Sequence, residues 1–127
     1  MLALAASRLL TPEPLDGPGW VEVDGDRIVA VHTGPAPVGA VDLGDAILAP
    51  GFVDIHGHGG GGAAYTDGPD AARVALAAHR RHGTTSLVAS LVTDTLDRLE
   101  AEIRALVPLV REGELAGIHL EGPWLSD

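Results

Sequence analysis

The sequence predicts an α/β chain in which a parallel sheet of βα units follows a short all-β segment. Three observations carry this. From about residue 51 onward, strand-like and helix-like runs alternate. Before residue 50 the apolar runs are short and separated by Gly, Pro and Asp. Pro50-Gly51 is a sharp break between the two styles, so the expected boundaries are 1–50 and 51–127.

In the first segment, Trp20 to Val23 and Arg27 to His32 flank Asp24-Gly25-Asp26. Two apolar runs around an Asp-Gly turn predict a hairpin. Pro35 and Pro37 mark a loop, and two or three strand pieces follow. In the second segment, Phe52 to Ile55 reads as a strand and residues 57–68 as a long Gly-rich loop. Pro69 to His82 reads as a helix, with Pro69 suited to its first position and Gly83 to its C-terminal cap. Thr84 to Leu91 is an apolar, β-branched strand. Asp94 to about Arg111 is a second helix, since Leu96, Leu99, Ile103, Leu106 and Val110 keep helical spacing. Pro108 predicts a kink or an early end there. Leu115 to Leu120 is the third strand. The alternation leaves two architectures open, a doubly wound sheet and a (β/α)8 barrel. A barrel needs roughly 200 residues or more, so this chain would supply three of its eight strands.

Composition narrows the function classes. The chain has 127 residues, 46% of them hydrophobic, which suffices for a core. Eighteen acidic against eight basic residues give a net charge of −10, which disfavours nucleic acid and anionic membrane as partners. Every basic residue is Arg, so no Lys is present for a P-loop, a Schiff base or a carbamylated metal ligand. Cys is absent, which removes disulfides, thiolate metal sites and a thiol nucleophile. The first ten residues lack a basic residue ahead of the apolar run, and Arg8 interrupts it, so no secretory leader is read. The cytoplasm is the expected compartment.

Three sets of residues could carry chemistry. His56 and His58 lie two apart at a strand end, which puts both imidazoles on one face, where a pair can chelate a divalent metal. The alternative is a polar loop with two chance histidines. Asp54 precedes His56 by two and is a candidate supporting partner. Gly59 to Gly62 could cradle a phosphate, but no Gly-Lys-Ser/Thr follows, so a loop that permits close backbone approach is the better reading. Glu121 ends the third strand ahead of Gly122-Pro123, a position from which a carboxylate can bind metal, or simply be solvated. His119 shares its face. His32, His79 and His82 read as structural, and Arg80 and Arg81 as a solvated helix face.

These motifs converge. "LAPGFVDIHGHGG" resembles the first barrel strand of the amidohydrolase superfamily, and "GTTSLVASLVT" its second. "GIHLEGPWLSD" resembles the third-strand signature of the N-acetylglucosamine-6-phosphate deacetylases. The resemblance spans the whole chain. It implies a (β/α)8 barrel with a small β-sandwich to which the N-terminal segment contributes, and removal of the N-acetyl group of N-acetyl-D-glucosamine 6-phosphate. It makes Glu121 a metal ligand, and matches His56 and His58 to a pair that some members use for a second ion. The ion would be divalent, with zinc, iron, manganese and cobalt all suited to such ligands, one or two per site. The strand-three Glu stands where relatives use a modified Lys, so the lack of Lys is no conflict. The family's other two metal-binding histidines and its general-base Asp are expected beyond residue 127. This chain therefore reads as an N-terminal piece, inactive alone, of a protein that is a homo-oligomer at full length. The competing readings are another amidohydrolase, such as a dihydroorotase-like or dipeptidase-like enzyme, and a non-catalytic module that binds metal or a partner.

Overall fold

The structure is a computed structural model describing residues 1–13 and 15–125. Ser126 and Asp127, which end the last motif, lie outside the described residues. The chain divides into two compact units, Met1–Pro50 and Gly51–Asp127.

The first unit is all β. Its strands are β1 (Leu2–Ala6), β2 (Arg8–Leu9), β3 (Gly19–Asp24), β4 (Arg27–Thr33), β5 (Val41–Asp42) and β6 (Ile47–Leu48). They form a four-stranded sheet ordered β4-β3-β1-β5 and a β2-β6 pair. The predicted hairpin is β3-β4, closing on the pair Asp24↔Arg27. Gly25 takes φ 60°, a left-handed value that glycine reaches without a Cβ clash. The core is small: Ala6, Leu9 and Val21 are buried, with Leu4, Val23 and Leu48 packed around them. A cavity of about 290 Å³ opens beside them between Leu9, Val21, Ile28 and Leu48. Ile28 there is 66% exposed, so one apolar face of the sheet is uncovered.

The second unit holds β7 (Phe52–Gly57), β8 (Gly59–Gly60), β9 (Ala63–Ala64), α1 (Pro69–Arg80), β10 (Thr84–Leu91), α2 (Leu96–Arg111) and β11 (Gly117–Leu120). The three longer strands form a parallel sheet ordered β11-β10-β7. Each βα unit therefore lays its strand beside the preceding one, with no reversal of order. Side-chain alternation along β10 sends Leu87, Ala89 and Leu91 to one face. There they meet Ala72, Ala75 and Leu76 of α1 and Leu99, Leu106 and Leu109 of α2 in one buried cluster. Burying each Leu this way is worth roughly 1.5–3 kcal/mol. The opposite face carries Ser90, and it is there that the polar groups gather.

Two local expectations are corrected. Residues 57–68 are not one loop. Gly59–Gly60 and Ala63–Ala64 pair as an antiparallel hairpin, and Tyr65–Asp67 form a 3-10 turn. Gly59 has φ 152°, and a Cβ there would overlap the Ala63 carbonyl, so only glycine permits this close return. The His79 ring bonds through Nε2 to the Gly59 carbonyl at 3.0 Å and pins the hairpin to α1. Pro108 does not end α2, which continues to Arg111. Pro108 is exposed one turn from the end, so the carbonyl it frees can bond water while buried Leu106 and Leu109 hold the turn in place. The helix stops instead at Gly113, φ 76°, where the Glu114 N–H bonds to the Leu109 carbonyl and the Gly113 N–H to that of Val110. Thr95 caps its start, its hydroxyl accepting the Arg98 N–H.

Arg73 of α1 reaches Glu114 at 2.9 Å, with Glu112 and Asp70 each at 3.5 Å, tying α1 to the loop before β11. Hydrogen bonding to Arg73 holds the Glu114 carboxyl below the usual carboxylate range. Val53 and Ile55 on β7 are 67% and 71% exposed, and β7 and β11 are the outer strands of the sheet. Among the described residues no helix is long and apolar enough to cross a membrane.

Candidate metal centre

The second unit brings three side chains together at the C-terminal ends of its strands. His56 is on β7, His58 follows it, and Glu121 follows β11. The His58 Nε2 lies 3.3 Å from Glu121 Oε2, and the His56 Nε2 lies 4.0 Å from Oε1. The three ligand atoms all lie within 4.8 Å of one another. Tetrahedral ligands at about 2.1 Å from an ion sit roughly 3.4 Å apart, so small side-chain rotations close the set around one. The side chains are 49%, 44% and 40% exposed in the order His56, His58, Glu121, so the cluster is open to water and to a ligand. Imidazole with carboxylate suits zinc and other divalent ions of the first transition row. Three protein ligands leave a position open, the arrangement of catalytic rather than structural sites.

Local structure explains the convergence. Both histidines lie where β7 gives way to the glycine hairpin, and their rings meet edge to face at 5.1 Å. Gly122 follows Glu121, and a Cβ on it would overlap the Thr93 side chain, so glycine lets the chain after β11 pass close to the end of β10. The ladder between β10 and β7 is irregular from Leu87↔Asp54 to Ala89↔Gly57, which re-aims the side chains at this end of β7. Asp54 does not bond to either ring. Its carboxylate accepts the backbone N–H of His56 at 3.1 Å and so steadies the strand itself.

His119 is brought to the cluster as well, its ring 4.9 Å from that of His56 and its Nδ1 3.0 Å from the Ser90 hydroxyl. The Ser90 carbonyl bonds to His58 Nδ1 at 3.1 Å. Ser90 was not singled out from the sequence. The available signal was a polar residue in the apolar strand "TTSLVASL", two places from Val88 on the face away from the helices. The remaining histidines have other partners or are exposed. His79 holds the glycine hairpin, His82 is exposed past α1, and His32 stacks on Trp20 with ring centroids 3.9 Å apart.

No family model matches the chain. The N-acetylgalactosamine-6-phosphate deacetylase of Escherichia coli O157:H7 is 30% identical over 131 aligned residues, covering 97% of this chain and 33% of that protein. The N-acetylglucosamine-6-phosphate deacetylase of Bos taurus is 37% identical over 93, covering 67% and 22%. A variant of the Mycobacterium smegmatis N-acetyl-D-glucosamine-6-phosphate deacetylase, solved in complex with N-acetyl-D-glucosamine-6-phosphate, superposes with a TM-score of 0.92 at 48% identity. The match covers 98% of this chain and 33% of that one. The chain thus spans about a third or less of the proteins it matches.

Proposed function

We propose, from the homology of this chain to about a third of the length of the N-acetylglucosamine-6-phosphate deacetylases, that it carries part of the metal centre of such an enzyme. The reaction is hydrolysis of the N-acetyl group of N-acetyl-D-glucosamine 6-phosphate to glucosamine 6-phosphate and acetate. The observation that carries this reading is the convergence of His56, His58 and Glu121 at the C-terminal ends of parallel strands. Functional groups collect at that end in βα sheets. The sequential order β7-β10-β11 fits the first three strands of a (β/α)8 barrel and equally the first half of a doubly wound sheet, and the likeness to the deacetylases favours the barrel. The uncovered apolar face beside Ile28 supports a β-sandwich to which the first unit contributes.

His56, His58 and Glu121 would hold the ion, and the glycine hairpin keeps the neighbouring backbone compact. A divalent ion so held would supply Lewis acidity and would lower the pKa of water near it. Glu121 turns one carboxylate oxygen toward each histidine, so its carboxylate would be a ligand for one or two ions. The general base is an Asp and two further ligands are histidines from outside these 127 residues, so the chain alone is inactive. The whole enzyme is a homo-oligomer. Zinc, iron, manganese and cobalt are all compatible with the ligands.

A second reading concerns the sugar only. The bacterial relative above is named for the galactosamine epimer, so N-acetylgalactosamine 6-phosphate is the competing substrate. The test is acetate release from both sugar phosphates by the protein of the complete open reading frame, with each metal supplied. Turnover of the glucosamine substrate, abolished by Glu121→Gln, is expected. Turnover surviving Glu121→Gln, turnover by the 127-residue chain alone, or none on either sugar would refute the proposal.

A further inference from the structure

We infer that Ser90 is a positioning residue that sets two histidines of the site in opposite tautomers, His58 as a ligand and His119 as a hydrogen-bond donor. The inference rests on the metal reading above for the word ligand, and on hydrogen bonding for the rest. Ser90 sits on the central strand β10, is 1% exposed, and is paired in register with His119 of β11. It offers the site two different groups. Its carbonyl can only accept, so the His58 contact at 3.1 Å requires Nδ1–H to donate. That leaves the His58 Nε2 lone pair free, and Nε2 is the atom 3.3 Å from Glu121. Its hydroxyl lies 3.0 Å from His119 Nδ1. Among the described residues this is the one partner found for that hydroxyl. Were His119 Nδ1 protonated, the ring would donate, and the serine proton would be left buried without an acceptor. The hydroxyl therefore donates to Nδ1, and His119 carries its proton on Nε2.

One buried residue thus distinguishes two imidazoles that chemistry alone does not. His58 presents a lone pair. His119, whose ring packs edge-on against His56, presents an N–H and cannot ligate through Nε2. The site then holds a donor beside the ion, suited to an oxygen of a bound acetamide or sugar.

Nitrogen-15 NMR of the full protein at about pH 8, above the ordinary imidazole range, reads the tautomers directly without metal or turnover. The expected result is Nδ1–H on His58 and Nε2–H on His119. In Ser90→Ala the hydroxyl is gone but the carbonyl stays. His119 should become a tautomer mixture while His58 is unchanged, and Ser90→Thr should restore His119. Zinc affinity in Ser90→Ala should fall short of the roughly tenfold loss that removing a ligand's own partner brings. A His119 already mixed or Nδ1-protonated in the unsubstituted protein, or one indifferent to Ser90→Ala, overturns the inference. If Ser90→Ala does not fold, the unsubstituted tautomers still decide. Failure of the unsubstituted protein to bind zinc or another divalent ion would instead refute the metal reading and leave the tautomers standing.

Discussion

Tyr65 is the sole tyrosine, so its ionisation can be read in the near-ultraviolet absorbance without interference from another phenol. It is 1% exposed, and its hydroxyl has no hydrogen-bond partner among the described residues. Burial first, and then the negative charge of Asp54, push its pKa from 10.0 up to about 12. A folded pKa above the unfolded one means the neutral phenol favours the folded state. That contribution is whole below about pH 10 and is lost as pH rises to 12. Two units correspond to about 3 kcal/mol across that window. Tyrosinate absorbance should therefore appear near pH 12, or together with unfolding, and not at 10. Tyr65→Phe removes the unpartnered hydroxyl while keeping the ring against α1 and β10. It should abolish the alkaline loss and leave stability at pH 7 unchanged or about 1 kcal/mol higher, since a buried unmatched polar group is costly. A midpoint at 10 in the folded protein, or a loss above about 1 kcal/mol in Tyr65→Phe, would show that the hydroxyl is solvated or bonded and refute the reasoning.

Three further outcomes are expected. Glu121→Gln should weaken zinc binding by at least tenfold in calorimetry, whereas His82→Ala, at an exposed position past α1, should leave it unchanged. Pro108→Ala should raise stability by about 1–3 kcal/mol in urea unfolding, because it restores a helical N–H at a site the fold already accommodates. The Arg73–Glu114 contact stabilises above the ordinary Glu range and is lost as pH falls below it. An Arg73→Gln chain should therefore show a flatter fall of melting temperature on acidification than the unsubstituted one.

Much of the fold is local, and was legible for that reason. Pro69 starts α1 because a proline ring presets the helical φ and its missing N–H is not needed there. Thr84–Leu91 is β10 to the residue, since a β-branched apolar run between turn signals has few other uses. The hairpin β3-β4 follows from its Asp-Gly turn. His56 and His58 share a face through strand alternation alone.

Other features depend on neighbours that the local sequence does not name. The pairing of Glu121 with both histidines needs β10 between β7 and β11, an order set by helix packing across the sheet. Pro108 is tolerated because packing of Leu106 and Leu109 outweighs one lost hydrogen bond. The glycine run becomes a hairpin because the His79 ring, on α1, donates its Nε2–H to the Gly59 carbonyl. Ser90 looks like any small polar residue in a strand until its register with His119 is known. Periodicity, turns and caps are properties of a few adjacent residues, so the sequence alone determined the longer strands, the two helices and the candidate ligands. Register, strand order and the choice of hydrogen-bond partner are settled by contacts between distant segments, and only the tertiary structure decided which of those candidates meet.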